Sequence, residues 1–362
     1  MPKEKTQGNV TVQSQNDNAT QRVPENEKKG FCSIAFVAAG YCICMSGLYT
    51  GAAMGFGMNF KEAILAVIVG NVILSVYGGL IGAAGAREGV STSMLARHTF
   101  GREGSKVIGI LLAAVMAGWY AVQVGFFGST MSALFPNGGI ITSQYVAAFW
   151  GGILMMVTAY MGYKGLNILS YIAVPSIAIL SVVGVCVAVK GSGGWNAIMN
   201  LVPPKPMTIS ASIVAIVGSF AGGAAAQSDI TRYAKDAKTS WLGTVFGYLI
   251  ANTFVILAGY LITAATGESD PPVAFLAMGL GVAALLILIL AQWTTNDNNL
   301  YTSVLGLMNT LDGVVKISRM KLTFIVGIIS TMIAGLGVYK YFVNFLSLLG
   351  VFIAPITGIL IA

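Results

Sequence analysis

The stretch LILILAQWTTNDNNLYTS, residues 286–303, passes from an aliphatic run to six consecutive hydrogen-bonding side chains with no Pro or Gly between them. Polar groups inside a membrane are costly unless they are paired, so we expect this segment to turn its polar face into a helix bundle. One face is shared, at helical spacing, by Ala291, Thr295, Asn298 and Thr302. Hydroxyl and carbonyl oxygens suit a small hard cation, provided that an unwound stretch of another helix adds its carbonyls. The alternative is that these groups only bond neighbouring helices.

The composition of the whole chain agrees with a membrane location. Apolar residues make up 56% of the 362 residues and charged residues 9%, and the mean hydropathy is +0.79. A soluble domain needs about 25% charged residues to cover its surface. We therefore predict an all-α polytopic membrane protein, and its four cysteines show no metal-binding spacing. Residues 1–29 are the polar exception, and we expect them to form a disordered tail and not a signal peptide.

Ten stretches are long enough to cross the hydrocarbon core, which takes roughly 20 apolar residues. They lie near residues 31–57, 62–86, 106–133, 145–163, 167–189, 208–227, 241–265, 281–309, 321–338 and 341–361. Lys and Arg concentrate in alternate loops, so the positive-inside rule places the tail in the cytoplasm and accounts for the net charge of +7 without nucleic acid. Spans one and six are both rich in small residues, which at matching positions favours interrupted helices over simple close packing. We expect two inverted five-helix repeats, residues 30–190 and 191–362.

Four motifs carry a resemblance to a known family. They are WTTNDNNLYTSVLGLMN at residues 293–309, VGSF at 217–220, GW at 118–119 and LARHTFG at 95–101. With them the chain resembles, from about Gly30 to its C-terminus, the nucleobase:cation symporter-1 family, especially its bacterial cytosine permeases. The resemblance implies the leucine-transporter fold, a 5+5 inverted repeat with helices 1 and 6 interrupted and two further helices after the tenth. This sequence ends before helices 11 and 12, which predicts either a fragment or a shortened form.

The resemblance also implies a sodium site and a base site. Sodium would lie between spans one and eight, and its ligands would be the backbone carbonyls of Gly40, Ile43 and Ala291 and the hydroxyls of Thr294 and Thr295. The base would be clamped between Trp119 on span three and Phe220 on span six. Ser219 would lie beside Phe220, and Asn296 would reach in from span eight.

The base site departs from the cytosine permease pattern at one position. In those permeases a Gln three residues before the Trp helps to bind the base, and here that position is Met116. Gln123, four residues after Trp119, instead resembles the pattern of the family's hydantoin transporter. The residues support a flat heterocycle independently of the resemblance. Stacking on an aromatic ring stabilises a base by about 1–3 kcal/mol, and an amide matches an amide-like edge.

These features predict a secondary active transporter of the inner (plasma) membrane that imports a nucleobase, cytosine first, by sodium symport through alternating access. We expect no organic cofactor, no nucleic-acid partner, contact with membrane lipid, and function as a monomer. The alternatives are proton coupling through Asp297 or Asp229, with Asp229 expected at the interface; uptake of a purine, allantoin or hydantoin; and a channel or receptor. An enzyme is not indicated, because the single histidine, His98, lies in a basic loop and no catalytic motif is present.

Overall fold

The computed structural model describes residues 20–203, 206–341, 349, 353 and 357–361, without the side chains of 163–167, 283–285, 287, 291 and 339–340. Within these ranges every regular element is helical, apart from one isolated bridge between Lys29 and Ala234. The tenth predicted span, 341–361, lies largely outside the described residues. The tail segment 1–19 also lies outside them.

The first half of the chain forms the helices α1 (Phe31–Cys42), α2 (Met45–Gly57), α3 (Phe60–Glu88), α4 (Thr92–Leu134), α5 (Gln144–Tyr160) and α6 (Tyr163–Gly191). Helix α3 begins where the Asn59 side chain accepts a hydrogen bond from the Glu62 amide at 3.0 Å, and it ends at Gly89 in the left-handed conformation. Helix α4 includes residues 92–105, which the sequence assigns to a loop. The chain turns sharply there at Gly101, whose φ of 68° favours glycine.

The second half forms α7 (Trp195–Met199), α8 (Ile209–Ala225), α9 (Gln227–Thr231), α10 (Ala237–Val245), α11 (Thr253–Thr266), α12 (Pro271–Ala277), α13 (Gly281–Leu311) and α14 (Arg319–Gly335). A π-helical segment, Phe246–Asn252, joins α10 to α11 into one continuous span. The short helix α12 begins where the Asp270 side chain caps its N-terminus. The polar run at residues 294–299 lies in the middle of the 31-residue helix α13.

Two helices are interrupted, at the two positions where the sequence predicts it. Helices α1 and α2 meet at Ile43 and Cys44, where Cys44 is extended, and their axes differ by 53°. Helices α8 and α9 are separated by Ala226, whose φ of −90° and ψ of 11° lie outside the α-helical region. A helix break leaves backbone carbonyls without their intrahelical partners, so each break is a source of ligand oxygens inside the bundle.

Close contacts between glycines hold α13 against α4. A Cβ atom built on Gly306 would lie 2.5 Å from the Gly109 carbonyl oxygen, and one built on Gly109 would lie 2.6 Å from the Gly306 carbonyl oxygen. The two backbones therefore meet directly, as small residues allow in membrane helix pairs. This contact fixes the distance between the helix with Trp119 and the helix with the polar run.

Residues 20–29 differ from the predicted disordered tail, because they lie in contact with one end of the helix bundle. The Val23 side chain is buried, and its amide donates to the Gly89 carbonyl at 2.8 Å. The Lys28 amino group donates to the carbonyl oxygens of Arg232 at 2.9 Å and Ala86 at 3.2 Å. The prediction for this segment is corrected: its polar composition reflects hydrogen bonding to exposed helix ends.

Candidate functional site

Carbonyl and hydroxyl oxygens meet where α1 breaks. The Thr295 hydroxyl, on α13, donates to the Tyr41 carbonyl oxygen at 3.1 Å and lies 3.4 Å from that of Gly40. Ile43 caps the broken end of α1, and Thr294, the residue before Thr295 on α13, is buried. Ala291, the remaining predicted sodium ligand, lies within α13, but its own placement is outside the described residues.

These oxygens could hold a hard monovalent cation. They are neutral, and among the residues that the structure describes no group of three His, Cys, Asp or Glu side chains could hold a metal ion. Hard cations prefer oxygen ligands, and a site without a carboxylate suits a singly charged ion better than a doubly charged one. The donor set therefore fits the ion that the resemblance implies.

A small cavity adjoins the helix break. Its walls are formed by Tyr41, Ser46, Trp119, Ser219, Phe220, Gly223, Thr295 and Asn299. Its volume is about 10 Å³, which is room for about one water molecule. A flat heterocycle would enter only if side chains on α1, α4 and α8 moved apart. Because Thr295 lines this cavity and also contacts the α1 carbonyls, the oxygen cluster and the cavity share a residue.

Three of the five predicted base-site residues come together in this cavity. Trp119 on α4 and Phe220 on α8 are 5% and 4% exposed, so both rings are shielded from solvent. Ser219 lies beside Phe220, and its hydroxyl donates to the Ile216 carbonyl at 2.7 Å. The aromatic pair and the serine thus line the same cavity, and their role in binding a base stays a prediction.

Gln123 does not line the cavity, but its side-chain amide could form hydrogen bonds with a ligand. The side chain is fully buried one helical turn from Trp119, and neither amide atom has a hydrogen-bond partner among the described residues. Leaving a buried amide unpaired costs about 1–3 kcal/mol. A ligand with an amide-like edge would remove that cost, so the unpaired amide fits a heterocycle held near Trp119.

Asn296 is not part of the cavity wall. Its amide nitrogen donates to the Tyr120 carbonyl at 3.3 Å and contacts the Met155 sulfur at 3.3 Å, so the side chain is directed to α4 and α5. Asn299 lines the cavity in its place. Asn299 follows Thr295 by four residues and shares its face of α13, and this spacing is the signal by which sequence reasoning could have found it.

The rest of the polar run bonds neighbouring helices. One carboxylate oxygen of Asp297 accepts from the Thr158 hydroxyl at 2.7 Å, and that hydroxyl accepts from the Trp293 indole at 2.6 Å. The other oxygen has no hydrogen-bond partner in the described part of the chain. The two interpretations of the polar run thus apply to different residues: Thr295 and Asn299 face the cavity, while Asn296 and Asp297 bond α4 and α5.

Asp229, expected at the membrane interface, is instead buried. Its side chain is 2% exposed and accepts a hydrogen bond from the Thr92 amide at 2.7 Å. The reason is that the chain continues beyond the Ala226 break as α9, which lies against α3 inside the bundle.

Comparison with known proteins shows the family. A family model described as permease for cytosine/purines, uracil, thiamine, allantoin matches residues 23–362. The cytosine permease of Escherichia coli strain K12 is 35% identical over 350 residues, which are 96% of this chain and 81% of that protein. The chain belongs to this family. The hydantoin permease of Microbacterium maritypicum is 24% identical and is matched over 95% of this chain and 74% of its own length.

Solved structures agree on the fold. The nucleobase-cation-symport-1 transporter Mhp1, in a closed conformation with bromovinylhydantoin bound, has a TM-score of 0.82 at 20% identity, over 94% of this chain and 79% of its own. MhsT in complex with L-phenylalanine has a TM-score of 0.69 at 15% identity, over 91% of this chain and 87% of its own. The predicted family and fold class are confirmed. The chain is a multi-pass membrane permease of the family and not an enzyme.

Proposed function

We propose that this permease imports a nucleobase, with cytosine as the first choice, together with sodium across the inner (plasma) membrane. The observation that carries the proposal is the cavity between Trp119 and Phe220, which shares Thr295 with the oxygen cluster at the α1 break. Cytosine is preferred because the relative that is 35% identical bears the name cytosine permease. The tail faces the cytoplasm in this proposal, because the basic loops lie on its side of the membrane.

The base is recognised by stacking and by its edge. Trp119 and Phe220 take its two faces, a contact worth about 1–3 kcal/mol for one base on an aromatic ring. Gln123 and Asn299 supply amide groups, each with a donor and an acceptor. A heterocycle without matching edge groups leaves the buried Gln123 amide unpaired, and this is the basis of selection.

Sodium binds at the neighbouring oxygens and joins α1 to α13. Gly40, Ile43 and Ala291 supply carbonyls, and Thr294 and Thr295 supply hydroxyls. Because Thr295 belongs to both sites, sodium tightens base binding, and base tightens sodium binding by the same factor. Closure of the bundle over both ligands and release of sodium inside complete one transport cycle.

The two glycines after Phe220 act as contact residues in this cycle and not as free hinges. A Cβ on Gly222 would lie 2.6 Å from the Met116 methyl carbon, and one on Gly223 would lie 2.6 Å from the Tyr41 ring. Both are needed for the closed arrangement of α8 against α1 and α4. Opening of the cavity therefore separates these contacts.

Proton coupling is the second candidate for the driving ion. It is favoured by one observation, the unpaired carboxylate oxygen of Asp297, which is fully buried and could carry a proton. Sodium is preferred because Asp297 points to α5, away from the cavity. For the substrate, the second candidate is a purine, allantoin or hydantoin, because Gln123 is present and Met116 stands where cytosine permeases have Gln.

Uptake of radiolabelled cytosine into proteoliposomes tests the proposal. We expect uptake driven by an inward sodium gradient, competition by unlabelled cytosine, and at least a tenfold loss in Thr295→Ala. Thr323→Ala is the matched control, because that buried hydroxyl bonds the Arg319 carbonyl of its own helix, α14, at 3.0 Å and does not line the cavity.

Three results would overturn parts of the proposal. Competition by hypoxanthine, allantoin or hydantoin in place of cytosine would reject the base assignment. Uptake driven by a proton gradient without sodium, and lost in Asp297→Asn, would reject the sodium assignment. Uptake that runs down the substrate's own concentration gradient and needs no ion gradient would indicate a channel.

A further inference from the structure

Tyr41 lies at the junction of the oxygen cluster and the cavity. It lies on α1 two residues before Ile43, is 6% exposed, and lines the cavity. Its carbonyl oxygen accepts the Thr295 hydrogen bond. One residue thus contributes its backbone to the oxygen cluster and its phenol ring to the cavity wall.

Three contacts hold the Tyr41 ring in place. It meets Phe220 edge to face, with ring centroids 5.7 Å apart and planes at 87°. The Tyr41 ring fits against Gly223 only because glycine has no side chain. A Cβ atom built on Gly223 would lie 2.6 Å from the ring and 2.7 Å from the hydroxyl oxygen. Gly223 itself lines the cavity, so the hydroxyl end of Tyr41 lies at the cavity wall.

The hydroxyl has only a weak partner. It donates to the Met116 sulfur at 3.6 Å, and a thioether is a poor hydrogen-bond acceptor. A carbonyl oxygen or ring nitrogen of a ligand is a much better one. Binding of a polar heterocycle would therefore exchange a weak internal hydrogen bond for a stronger one, next to the position at which cytosine permeases carry Gln.

We propose that the Tyr41 hydroxyl binds one polar edge of the heterocycle and is a specificity-determining residue of this permease. The inference rests on the proposed function, since it assumes a base between Trp119 and Phe220. The ligand is a flat, uncharged ring, and the group that meets the hydroxyl is an edge carbonyl or an exocyclic amine. Because the Tyr41 carbonyl belongs to the oxygen cluster, a cation bound there orients the ring that meets the base.

Equilibrium binding to the purified full chain tests this inference with Tyr41→Phe, which keeps the ring and removes the hydroxyl. The ligands are cytosine, 2-hydroxypyrimidine without the amine, and 4-aminopyrimidine without the carbonyl. We expect Tyr41→Phe to bind cytosine about three- to tenfold more weakly in sodium. One of the two analogues, the one that lacks the group facing Tyr41, should bind the variant and the wild type equally.

Tyr248→Phe is the matched control. Its ring also meets Phe220 edge to face, with centroids 5.9 Å apart, but its hydroxyl bonds the Gln227 amide oxygen and does not line the cavity. We expect it to bind all three ligands within about twofold of the wild type. Equal losses for all three ligands in Tyr41→Phe, or equal effects of the two variants on selectivity, would show a packing role and overturn the inference.

Met116→Leu provides a second, independent test. Leu has nearly the volume of Met and removes the sulfur acceptor. We expect the Tyr41→Phe penalty on cytosine to persist in the Met116→Leu background. Disappearance of the penalty there would mean that the hydroxyl acts only through the sulfur, and the inference would be wrong.

Failure of the inference and failure of the proposed function give different results. If the wild type binds cytosine and Tyr41→Phe matches it for every ligand, only the role of Tyr41 is rejected. If the wild type binds hypoxanthine or hydantoin in place of cytosine, the same comparison is made with that ligand and its deamino or deoxo analogue. If the wild type binds no heterocycle, the proposed function is rejected first.

Discussion

Replacing Gly306 by Ala should change the spacing of the helices that form the site, because this residue sets how closely α13 packs against α4. The new Cβ would lie 2.5 Å from the Gly109 carbonyl oxygen, whereas ordinary contact begins at 3.4 Å. A backbone oxygen cannot turn aside as a flexible side chain can. The two helices must therefore separate by about 0.9 Å at this crossing, where close-packed atoms have no slack.

The change in the free energy of unfolding is the sum of two opposing effects. Overpacking of this kind costs about 1–3 kcal/mol, while Gly to Ala inside a helix returns about 1 kcal/mol. Gly306→Ala should therefore be destabilised by about 0–2 kcal/mol. Gly335→Ala, in α14, is the control, since its Cβ would meet nothing within 4 Å. The difference in the free energy of unfolding between the two variants, about 1–3 kcal/mol, isolates the overpacking cost.

Thermal or denaturant unfolding of the purified variants, together with cytosine binding, measures both consequences. The shift moves Thr295 and Asn299 away from Trp119, so base affinity should fall in Gly306→Ala and stay unchanged in Gly335→Ala. Equal stability of the two variants would refute the direct backbone contact. Lower stability with unchanged affinity would refute the claim that this crossing positions the site.

Further predictions concern the clamp, a buried network and a helix cap. Trp119→Ala should weaken base binding by about 1–3 kcal/mol in an equilibrium assay, and Trp150→Ala, whose indole bonds the Ile141 carbonyl at the outer surface, should not; equal losses would argue against the clamp. The Asn71 amide nitrogen donates to the Thr253 hydroxyl, and its amide oxygen accepts from Asn252 at 2.7 Å, all within the bundle. Asn71→Ala should therefore lower the free energy of unfolding by about 1–3 kcal/mol. No change in urea unfolding would show that these hydrogen bonds do not stabilise the fold. The Thr239 amide holds the pKa of Asp236 below its usual value of 3.8; since the lowered value is that of the folded state, this stabilisation is present above pH 3.8 and is lost as pH falls below it. As the pH falls below 3.8, the free energy of unfolding should therefore drop more steeply in the wild type than in Asp236→Asn, which has no carboxylate to titrate at this cap; parallel pH profiles would contradict this.

Much of the fold could be predicted because the membrane restricts the choices. Long apolar runs have to be helices, and the glycines of spans one and six mark the interrupted ones, as found at Ile43 and Ala226. The order of the tail segment was harder to predict from the sequence. Residues 20–29 have the composition of disordered chain, and their order depends on carbonyls that distant helix ends expose, such as Ala86 and Arg232. Contacts between residues so far apart in sequence leave no local pattern.

The candidate site was predictable in its residue types and less so in its orientations. Trp119, Ser219 and Phe220 line one cavity, and their places on α4 and α8 follow from the resemblance, while their role in binding stays a prediction. Asn296 and Asn299 were not separated correctly, since six consecutive polar residues occupy every face of a helix and only the rotation of α13 decides which ones meet the cavity. Tyr41 was missed because its importance arises from the break of α1 and from the space at Gly223.

Coupling between the sodium site and the base site is tested most directly by equilibrium binding to the purified protein. The affinity for cytosine is measured as sodium is varied from about 1 to 100 mM at constant ionic strength. The affinity for sodium is then measured as cytosine is varied. Two sites that share Thr295 must be coupled reciprocally. Sodium should strengthen cytosine binding, cytosine should strengthen sodium binding by the same factor, and Thr295→Ala should reduce both factors towards one. Cytosine affinity independent of sodium would contradict this coupling.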